Sequence, residues 1–237
     1  INYQRILDMY KERFADASDF TFTFVGNINQ DSLKLYAKQY LATLPSLKRV
    51  EKGNVNEVPA IRKGSAVNHF ARSLQTPKAS VVNFFSGELP YTLENRLTLT
   101  MFKQILDLVY MEKVREDEGG TYGVQTSAQI SSFPEGRTVL QTYFDTDPAK
   151  RAQMNSIVHN EEDFNKTKEN LLKKHAEALQ ENSYWLNTID TYYFKKRDDH
   201  STYDATLNAI TPASIQNLAK SLLKQGNTVE VVMEPSH

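Results

Sequence analysis

Arg115 and Tyr122 stand seven residues apart in the run Val114-Arg115-Glu116-Asp117-Glu118-Gly119-Gly120-Thr121-Tyr122-Gly123-Val124. A guanidinium fork and a phenol hydroxyl are both hydrogen-bond donors. Aimed at one place, they can hold a peptide carbonyl or stabilise an oxyanion. The same residues also have a plain packing role. A cation in the last turn of a helix complements the helix dipole, a glycine behind it supplies a left-handed cap, and a tyrosine suits the start of a strand. On chemistry alone both readings stay open, and the packing one is the more common.

Few other chemistries are available. The histidines are His69, His159, His175, His200 and His237, and no two lie three or four residues apart, so none share a helical face as a zinc motif needs. His159 with Glu161 and Glu162 reads as a solvated helix end, and His175, on an apolar stripe, as a partly buried core histidine. Cysteine is absent, which excludes disulfides, thiolate zinc sites and a cysteine nucleophile. No Gly-x-Ser-x-Gly elbow, Gly-x-Gly-x-x-Gly or phosphate loop occurs. A formal net charge of −1 supplies no field for nucleic acid. No apolar run approaches the roughly 20 residues of a membrane span, and no signal peptide is recognisable. The chain starts in mid-pattern at Ile1, as expected of a processed protein or an excised fragment. Lack of cysteine suits bacterial periplasm and cytoplasm alike, so the compartment stays unknown.

The elements that must position Arg115 and Tyr122 follow from periodicity. From Glu94 to about Glu118, Leu97, Met101, Ile105 and Val109 recur four apart with Phe102 and Leu106 beside them, an amphipathic helix that Thr92 can cap. Two glycines stop it. Alternation over 121–131 and 137–145, around a Phe133-Pro134-Glu135-Gly136 turn, predicts two antiparallel strands. Two more strands are expected before the helix, at Val67–Leu74 and Ala79–Ser86. Asp147-Pro148 opens a helix, a further helix runs from about Glu161 to Phe194, and Thr211-Pro212 starts the last one, followed by a strand over Asn227–Met233.

The N-terminal part reads as a helix over 2–15, a strand at Phe20–Val25 and a helix capped by Asp31 and closed by Pro45. Residues 46–65 are charged, carry Gly53, Pro59 and Gly64, and have linker composition. The order helix, polar break, strand occurs twice, at 6–28 and 215–235, with Ile6-Leu7-Asp8-Met9-Tyr10 parallel to Ile215-Gln216-Asn217-Leu218-Ala219. The expectation is an α+β fold, an antiparallel-rich mixed sheet with helices packed mainly on one face. Residues 66–237 would be a complete domain, 46–65 a linker, and 1–45 the closing helix–strand–helix of a preceding homologous domain.

The segment from Val114 to Val124 resembles the arginine–tyrosine motif of the pitrilysin/insulinase family of zinc metallopeptidases. Gly87-Glu88-Leu89-Pro90-Tyr91-Thr92 before the long helix is similar to that family too, as is Phe22-Thr23-Phe24-Val25-Gly26-Asn27-Ile28 with Leu44-Pro45 after it. The resemblance implies a LuxS/MPP-like, alpha/beta-hammerhead type of fold and two homologous halves facing each other across a closed chamber. One half would hold zinc through His-x-x-Glu-His and hydrolyse peptides. The other would supply the arginine and tyrosine to the substrate carbonyl. This sequence has no His-x-x-Glu-His, so the resemblance implies no metal, cofactor or catalytic residue in this chain. Arg115 and Tyr122 would be substrate-binding residues, and the zinc would lie in an N-terminal half, in the same chain or a separate subunit. Family members place a Gly-containing loop where Asn160 here runs straight into Glu161, which implies that roughly ten loop residues are absent at that junction. A structural or scaffold subunit of the same fold is the second reading, and an unrelated α+β binding domain the third.

Overall fold

The computed structural model describes residues 1–49, 60–74, 78–117, 124–147 and 162–236. In chain order the elements are α1 (Tyr3–Arg13), α2 (Gln30–Tyr36, continued by a π-helical turn over Ala37–Leu41), β1 (Ser65–Arg72), β2 (Ala79–Glu88), α3 (Leu93–Asp117), β3 (Val124–Ser132), β4 (Glu135–Thr146), α4 (Glu162–Ala178), α5 (Asn182–Lys195), α6 (Tyr203–Ala209), α7 (Pro212–Leu223) and β5 (Asn227–Pro235). The chain divides into two compact units, one of Ile1–Asn54 with Glu177–Asp198, the other of Val55–Ala176 with Asp199–His237.

The larger unit holds a five-stranded sheet in the order β1-β5-β2-β4-β3. β1 runs parallel to β5, and every other pair is antiparallel. The last strand of the chain therefore lies inside the sheet, between β1 and β2. Register opposes Val81 to both Phe144 and Val232, and Phe85 to Leu140 and Thr228. Side chains alternate along a strand, so these residues share one face, and the helices cover it. Leu97, Met101, Ile105 and Val109 of α3 meet Ile215, Leu218 and Leu222 of α7, Leu207 of α6 and Leu171 of α4 in a single core with Ile130 and Leu140. Each fully buried leucine of this kind contributes about 1.5–3 kcal/mol. The mixed sheet with its helices on one face agrees with the expectation from sequence.

Several local features fix the entry to α3. Leu89 N–H donates to Gly136 O at 2.9 Å. Gly136 has φ +81°, and a Cβ there would stand 2.7 Å from Leu89 O, so this turn needs glycine. The Asn95 N–H donates to Thr92 Oγ1 at 3.1 Å, the expected cap. Arg96 pairs with Asp199 and lies over the Tyr91 ring, 4.9 Å from its centroid. The last helix is capped as Thr211-Pro212 foretells: Ser214 N–H donates to Thr211 Oγ1 at 3.2 Å, and Pro212 occupies the first helical position.

Four expectations are corrected. The cap of α2 is Asn29, whose side chain accepts from the Ser32 N–H. Asp31 sits inside the first turn, where a carboxylate still favours the helix dipole. The helix expected over 161–194 is two helices, α4 and α5. The Gln180 and Glu181 N–H groups close tight turns onto Glu177 O and Ala178 O, and the Trp185 indole N–H donates to Leu179 O at 2.8 Å. That side chain satisfies a carbonyl which the break releases from the ladder, and no glycine or proline marks the spot. Short α6 lies in a stretch without a periodic pattern and was not foreseen. Phe20–Val25 forms no strand in the structure, because a ladder needs a neighbour and the smaller unit describes none. The expected helix at Pro148 and the Asn160–Glu161 junction lie outside the described residues.

Candidate functional site

Arg115 lies in the last turn of α3, which ends at Asp117. Its side chain, Tyr122 and the glycines between them lie outside the described residues. The elements on either side of them are well defined. α3 is anchored at its start by the Thr92 cap and the Arg96–Asp199 pair, and along its length by the buried stripe that ends at Val109. β3 begins at Val124 and pairs with β4, Val124 opposite Phe144.

A cavity of about 320 Å³ is lined by residues of α3 and of all five strands. Tyr110 of α3 and Val124 of β3 both line it, with Phe144, Asn83, Thr142 and Glu230. Arg115 follows Tyr110 by five residues, and Tyr122 precedes Val124 by two. Asn83, Thr142 and Glu230 lie at the alternation positions of Val81, Phe144 and Val232, so they are polar residues on the core-bearing face. An amide, a hydroxyl, a phenol and a carboxylate around one hollow offer both donors and acceptors, which suits a peptide backbone. Burial pushes the Tyr110 phenol above its ordinary value, so it stays a protonated donor. Sequence reading passed over these four residues. The available signal was a polar residue at an inward position of an apolar strand, as Asn83 is between Val81-Val82 and Phe84-Phe85.

The described histidines offer no metal centre. His175 is buried, its Nδ1 2.8 Å from Asp204 Oδ1, and its ring stacks on Tyr203 at 3.8 Å, as befits a satisfied core histidine. His69 lies on exposed β1 beside Glu230, 3.4 Å away. His159 and His237 lie outside the described residues. Among the described residues no group of three His, Asp or Glu side chains is placed to hold a metal ion. The described residues do not fit zinc. No described helix is long and apolar enough to cross a membrane.

A matching family model decides what these features belong to: that of the peptidase M16 inactive domain matches residues 1–181. The chain belongs to this family. It is 21% identical over 250 residues to the probable zinc protease PqqL of Haemophilus influenzae, covering 96% of this chain and 26% of that protein. The chain thus spans about a quarter of the length of that relative. Its fold matches the ferredoxin protease FusC, solved as a mutant in complex with Arabidopsis ferredoxin, with a TM-score of 0.74 at 15% identity, over 100% of this chain and 27% of that one. It also matches a peptidase M16 inactive domain from Pseudomonas fluorescens, with a TM-score of 0.70 at 16% identity, over 100% of this chain and 58% of that one. Zinc proteases of the M16 type are therefore this chain's relatives, and the part it corresponds to is the inactive domain.

Proposed function

We propose that this chain is the substrate-binding, non-catalytic C-terminal part of a zinc-dependent peptidase that hydrolyses peptides inside a two-halved chamber. Residues 66–237 would form its last domain, 46–65 the linker and 1–45 the end of the domain before. The zinc would be held by an N-terminal half, in the same chain or in a separate subunit, since the sequence has no His-x-x-Glu-His and the described residues do not fit the ion. Arg115 and Tyr122 would donate hydrogen bonds to the carbonyl of the bound peptide, and either β2 or β3 would line the chamber.

The observation that carries this reading is the match of residues 1–181 to the peptidase M16 inactive domain. It is supported by Tyr110 of α3 and Val124 of β3, which flank Arg115 and Tyr122 in sequence and line a hollow edged by polar groups. The relative solved with a bound protein, FusC with ferredoxin, is consistent with a polypeptide as ligand. Turnover by the intact protein carrying Tyr122→Phe tests the reading.

A scaffold subunit of the same fold remains the second reading, favoured by the family's description as an inactive domain. In that case Arg115 completes the helix end and Tyr122 packs, and neither affects turnover.

A further inference from the structure

We infer that Glu230 is a specificity-determining residue, and that the cavity it lines takes the side chain of a lysine or arginine of the bound polypeptide. The inference rests on the substrate-binding reading and names the kind of peptide that the site selects.

Glu230 stands in a polar row across the sheet. In register it lies opposite Val67 of β1 and Asn83 of β2, and Asn83 lies opposite Thr142 of β4. The neighbouring rows on the same face are largely apolar, with Val232, Val81 and Phe144 in one and Phe85 and Leu140 in the other. β5 has β1 on one edge and β2 on the other, so this carboxylate sits over the interior of the sheet and not at its rim. A charge placed there is costly unless an opposite charge or hydrogen-bond donors meet it.

One partner is in place. His69 Nε2 lies 3.4 Å from Glu230 Oε1, and the two side chains are 45% and 28% exposed. A carboxylate has about four acceptor positions, so the contact with one oxygen does not use up the group. Among the described residues that line the cavity, Glu230 is the one that carries a charge. Asn83 and Thr142 add an amide oxygen and a hydroxyl oxygen as further acceptors, and Tyr110, Phe85 and Phe144 supply aromatic walls. A long basic side chain needs this combination. Its methylene stem covers apolar surface while its tip finds acceptors, and aromatic faces attract a cation as well. An acidic side chain would meet a like charge. An apolar one would strip water from Glu230 and bring no charge in return. A volume of about 320 Å³ is at the small end for a ligand pocket, which suits one side chain.

Isothermal titration of the intact protein tests this, with EDTA present to stop hydrolysis. The ligands are acetylated, amidated nonapeptides of one neutral sequence that carry a single lysine at each position in turn. A second set carries norleucine instead, which keeps the stem and removes the charge. At one position or more, lysine should bind about tenfold tighter than norleucine, the worth of a hydrogen bond to a charged group. Glu230→Gln should bring the two together and leave the norleucine peptides unchanged. If that variant does not fold, Glu230→Asp, which draws the carboxylate back by one methylene, should lessen the lysine preference. Absence of a lysine preference at every position in the unaltered protein overturns the inference, whatever the variants do. So does a preference that both variants leave intact, or an equal weakening of both peptide sets by Glu230→Gln, which would make Glu230 a structural residue. Tighter binding of a lysine-free peptide when its amino terminus is left unacetylated, lost in Glu230→Gln, would put the α-ammonium in the cavity and overturn the side-chain assignment. Peptides that bind without regard to lysine would leave the substrate-binding reading standing, whereas failure of every peptide to bind would overturn that reading and the inference with it.

Discussion

Tyr110 of α3 and Val124 of β3 line one cavity. The long helix and the edge strand thus meet at a hollow; of the two candidate donors, Arg115 belongs to the last turn of that helix and Tyr122 precedes that strand by two residues. Asn83 and Thr142, opposite each other on β2 and β4, share that hollow. Replacing Asn83 with leucine removes an amide and keeps a similar volume. In the intact protein we expect kcat/KM to fall by up to about tenfold, the worth of one net hydrogen bond. Steady-state kinetics on a peptide substrate reads this, and an unchanged value would separate the cavity from substrate binding.

The Gly136 turn holds the entry to α3. Gly136→Ala places a methyl group 2.7 Å from Leu89 O at a positive φ. The expected cost is about 1–3 kcal/mol, read as a lower Tm and denaturant midpoint. No loss of stability would show that the turn rearranges freely.

Acid should loosen both units through identifiable carboxylates. Asp16 accepts from the Ser18 hydroxyl and from the N–H groups of Ser18, Leu47 and Arg49, which ties the start of the linker to the smaller unit. The Ser18 hydrogen bond foremost, with those N–H groups, holds its carboxyl well below the ordinary value, against the effect of burial. Burial alone would raise Asp145, but hydrogen bonds from Lys78, Ser80 and Tyr143 outweigh it and leave it lowered. A carboxyl depressed in the folded state contributes stability above the unfolded-state value of about 3.9 and loses it as pH falls toward the folded one. Asp145→Asn should therefore flatten the decline of the denaturant midpoint between about pH 5 and pH 3. An unaltered slope would assign the decline to other groups.

Trp185 closes the break between α4 and α5. Trp185→Phe keeps an aromatic ring and removes the N–H that Leu179 O accepts. About 1 kcal/mol of stability should be lost, with faster amide exchange over 179–184. If exchange there is unaltered, water replaces the indole without cost.

Much of this architecture was legible because packing and local pattern agree. The α3 stripe, its Thr92 cap, the β3–β4 hairpin and the Thr211-Pro212 start all followed from spacing and turn chemistry. The α4–α5 break was not legible, because apolar periodicity continues through Leu179-Gln180-Glu181 and the stop depends on a tryptophan six residues from the carbonyl it caps. Phe20–Val25 shows the opposite limit. Its composition specifies a strand, but pairing depends on neighbours that composition cannot supply. At the site, the motif drew attention to Arg115 and Tyr122, while Asn83, Thr142 and Glu230 became visible once register put them on the core-bearing face.

The substrate-binding role of Tyr122 is tested most directly by kcat of the intact protein with Tyr122→Phe, which removes one hydroxyl and little else. Loss of an oxyanion-type donor lowers kcat by about 10²–10³-fold, with Tm unchanged. Turnover equal to that of the unaltered protein would contradict the role and favour the scaffold reading.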